Sequence, residues 1–310
     1  MSDRCEGQFL WLKMQEENLE TDMNPRHLQR LLEGTPKGLG QTYERNWSKI
    51  ENTTRSQRAV ALLSWAVFAM RPLTVDEITE AVLIVQDDED LLADELPDTV
   101  DDDYIENEIR KLCSLLLEIR NSHPESTLGS QTVHLAHFTI RQFLVGRLPI
   151  RDIWQNVGLR ASNEQIQHTI LARPCLWYVQ SRQTWEDGAN VHGSPFQRAL
   201  RNYVAEFWHA HVKSGVSIKR ELATMKRVLE FMSEAHACWD AWRKWLDTHD
   251  EETKQEVQDE KIQPGLPYYA LKLGLDAVAV CHIRKFKHEQ SVNCTGRSVL
   301  DLCCVQGGQQ

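Results

Sequence analysis

The sequence predicts a mainly α-helical chain of several domains carrying one small β-hairpin. Three observations lead there. Apolar residues recur at three- and four-residue spacing along most of the 310 residues, which gathers them on helix faces. Start and stop signals bracket those runs. Strand-like segments are confined to one pair, Leu116 to Arg120 and Thr132 to Leu135, joined by a turn rich in Asn, Ser, Pro and Gly.

In chain order, Phe9, Leu10, Leu12, Met14 and Leu19 mark the end of a first amphipathic helix. Asn24-Pro25 opens a short one with Leu28, Leu31 and Leu32 on a face, and Gly34 stops it. Thr35-Pro36 reads as a cap and first-turn proline for a helix through Tyr43, Trp47 and Ile50. Ala59 to Met70 is apolar almost all round, as in a helix buried on several sides. Arg71-Pro72 ends it. Thr74-x-x-Glu77 is a capping box, with Leu73 and Ile78 as the hydrophobic staple of a helix carrying Ile78, Ala81, Val82 and Val85. Past an acidic linker, Tyr104 to Glu118 predicts a third helix with Ile105, Ile109, Leu112, Leu115 and Leu116 inward. The hairpin follows, then a helix from His137 to Val145. Three helices, strand, turn, strand and helix is the order of a winged-helix domain, with limits near 53 and 148.

From Arg151 to Lys261 the pattern is helical, with aromatics at Trp177, Tyr178, Tyr203, Phe207, Trp208, Trp239, Trp242 and Trp245 that read as core packing. Asp247 to Lys261 is a charged run, a solvated helix or linker. Near the C-terminus, Tyr268 to Gly274 and Asp301 to Gly307 align at an offset of 33, the ankyrin period, with small residues and glycines in step.

Composition narrows the function. The hydrophobic share of 41% and charged share of 26% are ordinary for a globular protein. No run of eighteen apolar residues predicts a membrane span, and the acidic, amphipathic N-terminus does not read as a signal peptide. A net charge of -10 argues against nucleic-acid or anionic-membrane partners. The cysteines, at 5, 113, 175, 238, 281, 294, 303 and 304, form no C-x-x-C and read as buried free thiols in a reducing, cytoplasmic setting.

Candidate sites are few. A phosphate loop needs G-x-x-x-x-G-K-S/T, so that amides and a lysine converge on phosphate. Gly34 to Gly40 misplaces the lysine and reads as a capped turn. Leu83-Ile84-Val85 before Gln86-Asp87-Asp88 has the look of a magnesium-binding strand end, yet the capping box makes it a helix C-terminus. His134 and His137 form H-x-x-H, and His209 and His211 form H-x-H, without the further ligands a zinc site requires. No G-x-S-x-G elbow is present, so no catalytic residue, cofactor or metal is assigned. DNA binding by the winged helix, or service as a transcription adaptor, is the rival reading. It must place the third helix against phosphates. Residues 86–109 hold twelve acidic side chains and no Lys or Arg.

Gly7 to Trp11, Leu32 to Leu39 through Tyr43-Glu44-Arg45, Arg71 to Ile78, and Val133 to Leu144 together resemble fungal NACHT-ankyrin proteins, STAND-class signalling ATPases related to NOD-like receptors. The resemblance implies a helical tail of a NACHT-type ATPase module over 1–52, a winged helix of the inositol-deacylase type over 53–148, a helical spacer over 149–263 and partial ankyrin repeats over 264–310. It implies a non-catalytic segment that couples a nucleotide-binding module, itself missing here, to an ankyrin array, with protein partners through the repeats and the winged helix. In that class a winged-helix histidine, usually within Met-His-Asp, contacts the β-phosphate of ADP. His137 in Ala136-His137-Phe138 occupies the matching place, with Phe138 where aspartate is expected. ADP sensing by His137 is thus implied only alongside an upstream ATPase module. A histidine that caps or packs at a strand-helix junction is the plainer reading.

Overall fold

The computed structural model describes residues 38–85, 90–91, 96–121, 127–148, 161–185, 198–216, 222–249 and 265–290. The expected helices before residue 38, the second half of the 33-residue repeat, most of the charged run after Asp247, and Cys5, Cys294, Cys303 and Cys304 lie outside them. The structure is mostly helical. The chain divides into two compact units, and the division falls inside the helix Asn163–Gln180, between Gln167 and His168.

The first unit is built on α1 (Gly38–Glu51), α2 (Ser56–Phe68) and α3 (Val75–Val82). α1 buries Tyr43, Trp47 and Ile50 on one face. α2 buries Leu62, Leu63, Trp65 and Phe68, which accounts for its almost continuous apolar sequence. Each such side chain taken out of water contributes about 1.5–3 kcal/mol. The capping box forms as read: Thr74 Oγ1 accepts from Glu77 N at 3.2 Å, and Glu77 Oε2 accepts from Thr74 N at 2.9 Å. Arg71 closes the junction with two bonds to the Glu77 carboxylate, at 2.8 and 2.7 Å.

α3 stops at Val82, earlier than the sequence suggests. Ile84–Val85 (β1) pairs antiparallel with Asp90–Leu91 (β2), so the segment expected to be a helix C-terminus is extended. A short α4 (Asp102–Tyr104) runs into a π-helical segment, Ile105–Lys111. Its wider turn carries the buried line through Ile105, Ile109 and Cys113. The expected inward Leu112 and Leu115 are only half-buried.

This third helix is also shorter than expected. Ser114 and Leu115 take left-handed backbone, φ 48° and 62°. Leu115 N donates to Arg110 O at 3.0 Å and Ser114 N to Lys111 O at 2.9 Å, the Schellman pattern with a serine where glycine is favoured. Asn46 Nδ2 holds the Ser114 carbonyl at 3.0 Å. The chain then enters β3 (Leu117–Arg120), which pairs with β4 (Thr132–Leu135) in the register Leu117↔Leu135 through Arg120↔Thr132. A bridge at Thr74↔Thr132 adds a stub of third strand on the other side of β4. α5 (Phe138–Val145) lays Ile140 and Leu144 into the core.

α6 (Asn163–Gln180) is apolar on several sides and tolerates Pro174 in its interior. The second unit takes up α6 from His168 and continues through α7 (Arg182–Trp185), α8 (Arg201–Ser214), α9 (Leu222–Phe231), α10 (Trp239–His249), α11 (Leu266–Lys272) and α12 (Asp276–Gln290). Its centre is aromatic, as the sequence suggests, with Tyr178, Tyr203, Trp208, Trp239 and Trp242 buried, whereas Trp177, Phe207 and Trp245 are only half-buried at its edge. Trp208, Phe231 and Trp242 meet edge to face, at centroid distances of 5.4, 5.7 and 5.8 Å. The indole N–H of Trp242 donates to Ala205 O at 2.9 Å. Between α11 and α12, Gly274 at φ 69° closes a second Schellman turn, with Leu275 N on Ala270 O at 2.8 Å. Cys113, Cys175 and Cys238 are buried free thiols and Cys281 is a half-buried one. Burial pushes the Cys113 and Cys175 thiols up, away from reactivity.

The two Schellman turns make opposite predictions. Ser114→Gly relieves left-handed strain and raises stability by about 0.5–1 kcal/mol, whereas Gly274→Ala introduces it and costs about 1 kcal/mol or more. Urea denaturation midpoints of the two variants, moving in opposite directions from wild type, check this.

Candidate functional site

His137 stands at the exit of the hairpin. Ala136 N still donates to Leu116 O at 3.0 Å, and His137 keeps extended backbone at φ -157°, ψ 150°. The next residue opens α5, so His137 is its N-cap, a position where a side-chain acceptor satisfies a free helix N–H. Nδ1 accepts from Thr139 N at 3.4 Å and lies 2.7 Å from Thr139 Oγ1. That hydroxyl lies 2.8 Å from Tyr43 Oη on α1. An accepting Nδ1 leaves Nε2 to carry the proton of the neutral ring. Beside it Phe138 is 73% exposed, its ring centroid 4.3 Å from that of His137. The site is therefore a capping imidazole wired to α1, with an exposed aromatic where the resemblance expects a carboxylate.

His134 does not join it. Its Nε2 sits 2.9 Å from Thr132 Oγ1 along the same strand, and Glu118 is its cross-strand partner. Burial and the nearby Arg120 lower its pKa, with Glu118 opposing. Among the described residues no three His, Cys, Asp or Glu side chains gather as metal ligands would. His209 and His211, two apart on α8, also separate. His211 is fully buried, with Nε2 2.7 Å from Tyr203 Oη and Nδ1 3.1 Å from Nδ1 of His168. His168 lies 43 positions earlier in the chain, and no local pattern in the sequence announces it.

The third helix, which a DNA-binding winged helix would lay in the groove, starts with exposed Asp101, Asp102 and Asp103. Its basic end is already engaged. Arg110 bonds Glu106 at 3.0 Å, Lys111 lies 3.8 Å from the same carboxylate, and Arg55 forms a two-pronged bridge to Glu108. Arg58 bonds Tyr104 Oη at 3.0 Å. Of the glycine-rich turn, Gly38 to Gly40 forms the first turn of α1, with Gly38 at φ 76°. Residues 34–37, like Gln86 to Asp88, lie outside the described residues. Among the described residues no helix is long and apolar enough to cross a membrane.

Residues 48–149 match the family described as GPI inositol-deacylase, winged helix domain. The chain is 24% identical over 226 residues to azaphilone pigments biosynthesis cluster protein L of Monascus ruber, covering 71% of this chain and 44% of that protein. It is 28% identical over 148 residues to vegetative incompatibility protein HET-E-1 of Podospora anserina, covering 47% of this chain and 9% of that protein. The chain thus spans less than half the length of either curated relative. No solved structure matches. These similarities support a relation to fungal NACHT-type proteins and a winged helix at the stretch where the hairpin and its helices lie.

His137→Ala removes the cap of α5 and lowers stability by about 1 kcal/mol, whereas His137→Asn keeps an acceptor and retains most of it. Denaturation midpoints of the two variants separate a capping role from simple loss of the ring. In the second unit, burial pulls His211 down to about 3 and His209 to about 4 from the ordinary 6.5, outweighing the backbone groups of Glu206 and Leu273 that favour charge on His209. His168 and His209 further oppose charge on His211. The unfolded chain takes up these protons below pH 6.5, while the folded chain refuses them until pH 4 and below. Stability is thus full above 6.5 and declines as pH falls, by about 1.4 kcal/mol per pH unit for each histidine, levelling off below the folded values. Thermal melts at pH 7 and pH 5 check the sign, the midpoint being lower at pH 5.

Proposed function

We propose that this chain is a non-catalytic regulatory and protein-interaction segment of a NACHT-type signalling protein. It couples a nucleotide-binding module outside this chain to a sensor array of ankyrin type that begins near α11. The observation that carries the reading is the His137 junction within the matched winged helix: one strand-helix turn presents an exposed Phe138 and links through Thr139 to Tyr43 of α1.

The coupling follows from packing. A module pressing on His137 and Phe138 bears on the first turn of α5. α5 shares its core with α2, and its Thr139 holds α1, so a displacement at the junction is transmitted to both helices rather than absorbed in a loop. The acidic, internally paired third helix gives the same winged helix little to offer a phosphate backbone, which favours a protein partner. The α11–α12 pair, with its glycine turn, is the kind of helix hairpin from which stacked repeats are made.

Calorimetric titration of the full chain with ADP, and separately with duplex DNA at low salt, tests the reading. Neither ligand gives saturable heat if the nucleotide site belongs to another module. Micromolar ADP binding that vanishes in His137→Ala would place the nucleotide site in this chain and overturn the proposal. DNA binding that weakens steeply with salt would favour a transcription-adaptor role instead.

A further inference from the structure

α9 in the second unit has two apolar faces. One carries Thr224, Val228 and Phe231 into the unit's own core. The other carries Leu222, Met225 and Leu229, spaced three and then four apart, and Leu222 is 73% exposed. That spacing is the seam of a two-helix coiled coil. These three residues line an open groove of about 660 Å³ whose other wall is the turn through Ser233, Ala235 and His236. A protruding leucine and an apolar groove therefore lie on the same face. Along its rim run Lys226 and Glu230, one helical turn apart, 3.7 Å from each other and largely exposed.

We infer that this face is a self-association surface, and that its occupant is the same α9 face of a second copy of the chain, packed antiparallel about a two-fold axis. Knob and groove on one face are what an isologous contact requires, because each copy then supplies what the other needs. The rim charges point to the same occupant. A two-fold axis across the stripe reverses one helix against the other and brings two Lys226–Glu230 pairs together as a neutral cluster of four charges. A partner with a single-signed rim would leave half of that cluster opposed. One ten-residue helix face is small beside the roughly 800 Å² per partner of a standard stable interface, so the dimer is weak, with a Kd on the order of 100 µM.

Sedimentation velocity of the full chain, from about 5 to 500 µM, reads the equilibrium directly. A concentration-dependent dimer is expected. Leu222→Asp, at an exposed position that leaves the melting temperature unchanged, weakens it about tenfold or more. Lys226→Glu and Glu230→Lys each weaken it at low salt, the first by gathering four carboxylates and the second four ammonium groups. An equimolar mixture of these two variants restores dimer, because the heterodimer regains two charges of each sign. Restoration on mixing cannot come from repair of the pair within one helix, since neither chain has that pair intact. The inference is overturned if wild type is monomeric throughout the range, if Leu222→Asp leaves dimerisation unchanged, or if the mixture behaves as the sum of its parts. A monomer whose groove instead takes up an added amphipathic peptide would likewise assign the face to another partner.

Discussion

The first unit depends on the junction at Thr74. Its side chain and backbone close the capping box with Glu77, while its flanking backbone pairs with β4, Val133 N donating to Leu73 O and Val75 N to Gln131 O, both at 2.8 Å. The residue that starts a helix thus also seats the hairpin. Glu77 is 6% exposed, and a carboxylate so placed is tolerable only because Arg71, the Thr74 amide and its own helix N-terminus all stabilise its charge. From that anchor the rest follows in order. β4 fixes β3, β3 fixes the exit of the third helix, and the far end of β4 delivers His137 to cap α5.

The second unit is held differently. It has no ladder of strands among its described residues, and its order comes from aromatic rings meeting edge to face around Trp208, Phe231 and Trp242. Large flat side chains bury much surface while losing few rotamers, which suits helices that cross at varied angles. The polar atoms drawn into this core find specific partners: the Trp242 indole meets a carbonyl, and Tyr203, His211 and His168 meet one another. Burial keeps the His211 imidazole neutral, and that is the reason acid acts on this unit.

What the sequence made legible was local. The capping box, the apolar α2, the hairpin strands and the capping role of His137 each rest on residues within a few positions of one another, where propensity and hydrogen bonding decide the outcome. The misses are nonlocal or concern backbone chemistry that side-chain identity hides. Ser114 occupies a left-handed site where glycine would have been a clear stop signal, so the third helix ends at Lys111 rather than at the expected Glu118. The β1 strand exists because Asp90–Leu91 returns to pair with it, and an acidic intervening stretch gives no hint of that. The pairing of His168 with His211 is set wholly by how α6 meets α8. The exposure of Phe138 has a local signal, since this apolar residue falls outside the inward pattern of Ile140 and Leu144.

The hairpin register carries a consequence for how the domain can vary. β3 and β4 are pinned at their base by the Ala136–Leu116 bond and at their far end by the Thr74–Thr132 bridge, one bond of which comes from Gln131, just inside the connecting stretch, where Gly129 is also buried against α3. Length added between Leu128 and Thr132 would therefore cost more than loop-closure entropy, because it would shift Gly129 and Gln131 off α3 and disturb the far anchor. The returning arm of the hairpin is thus a fixed ruler: the spacing from Gly129 to Thr132 is tied to α3, and changing it moves the strand that delivers His137.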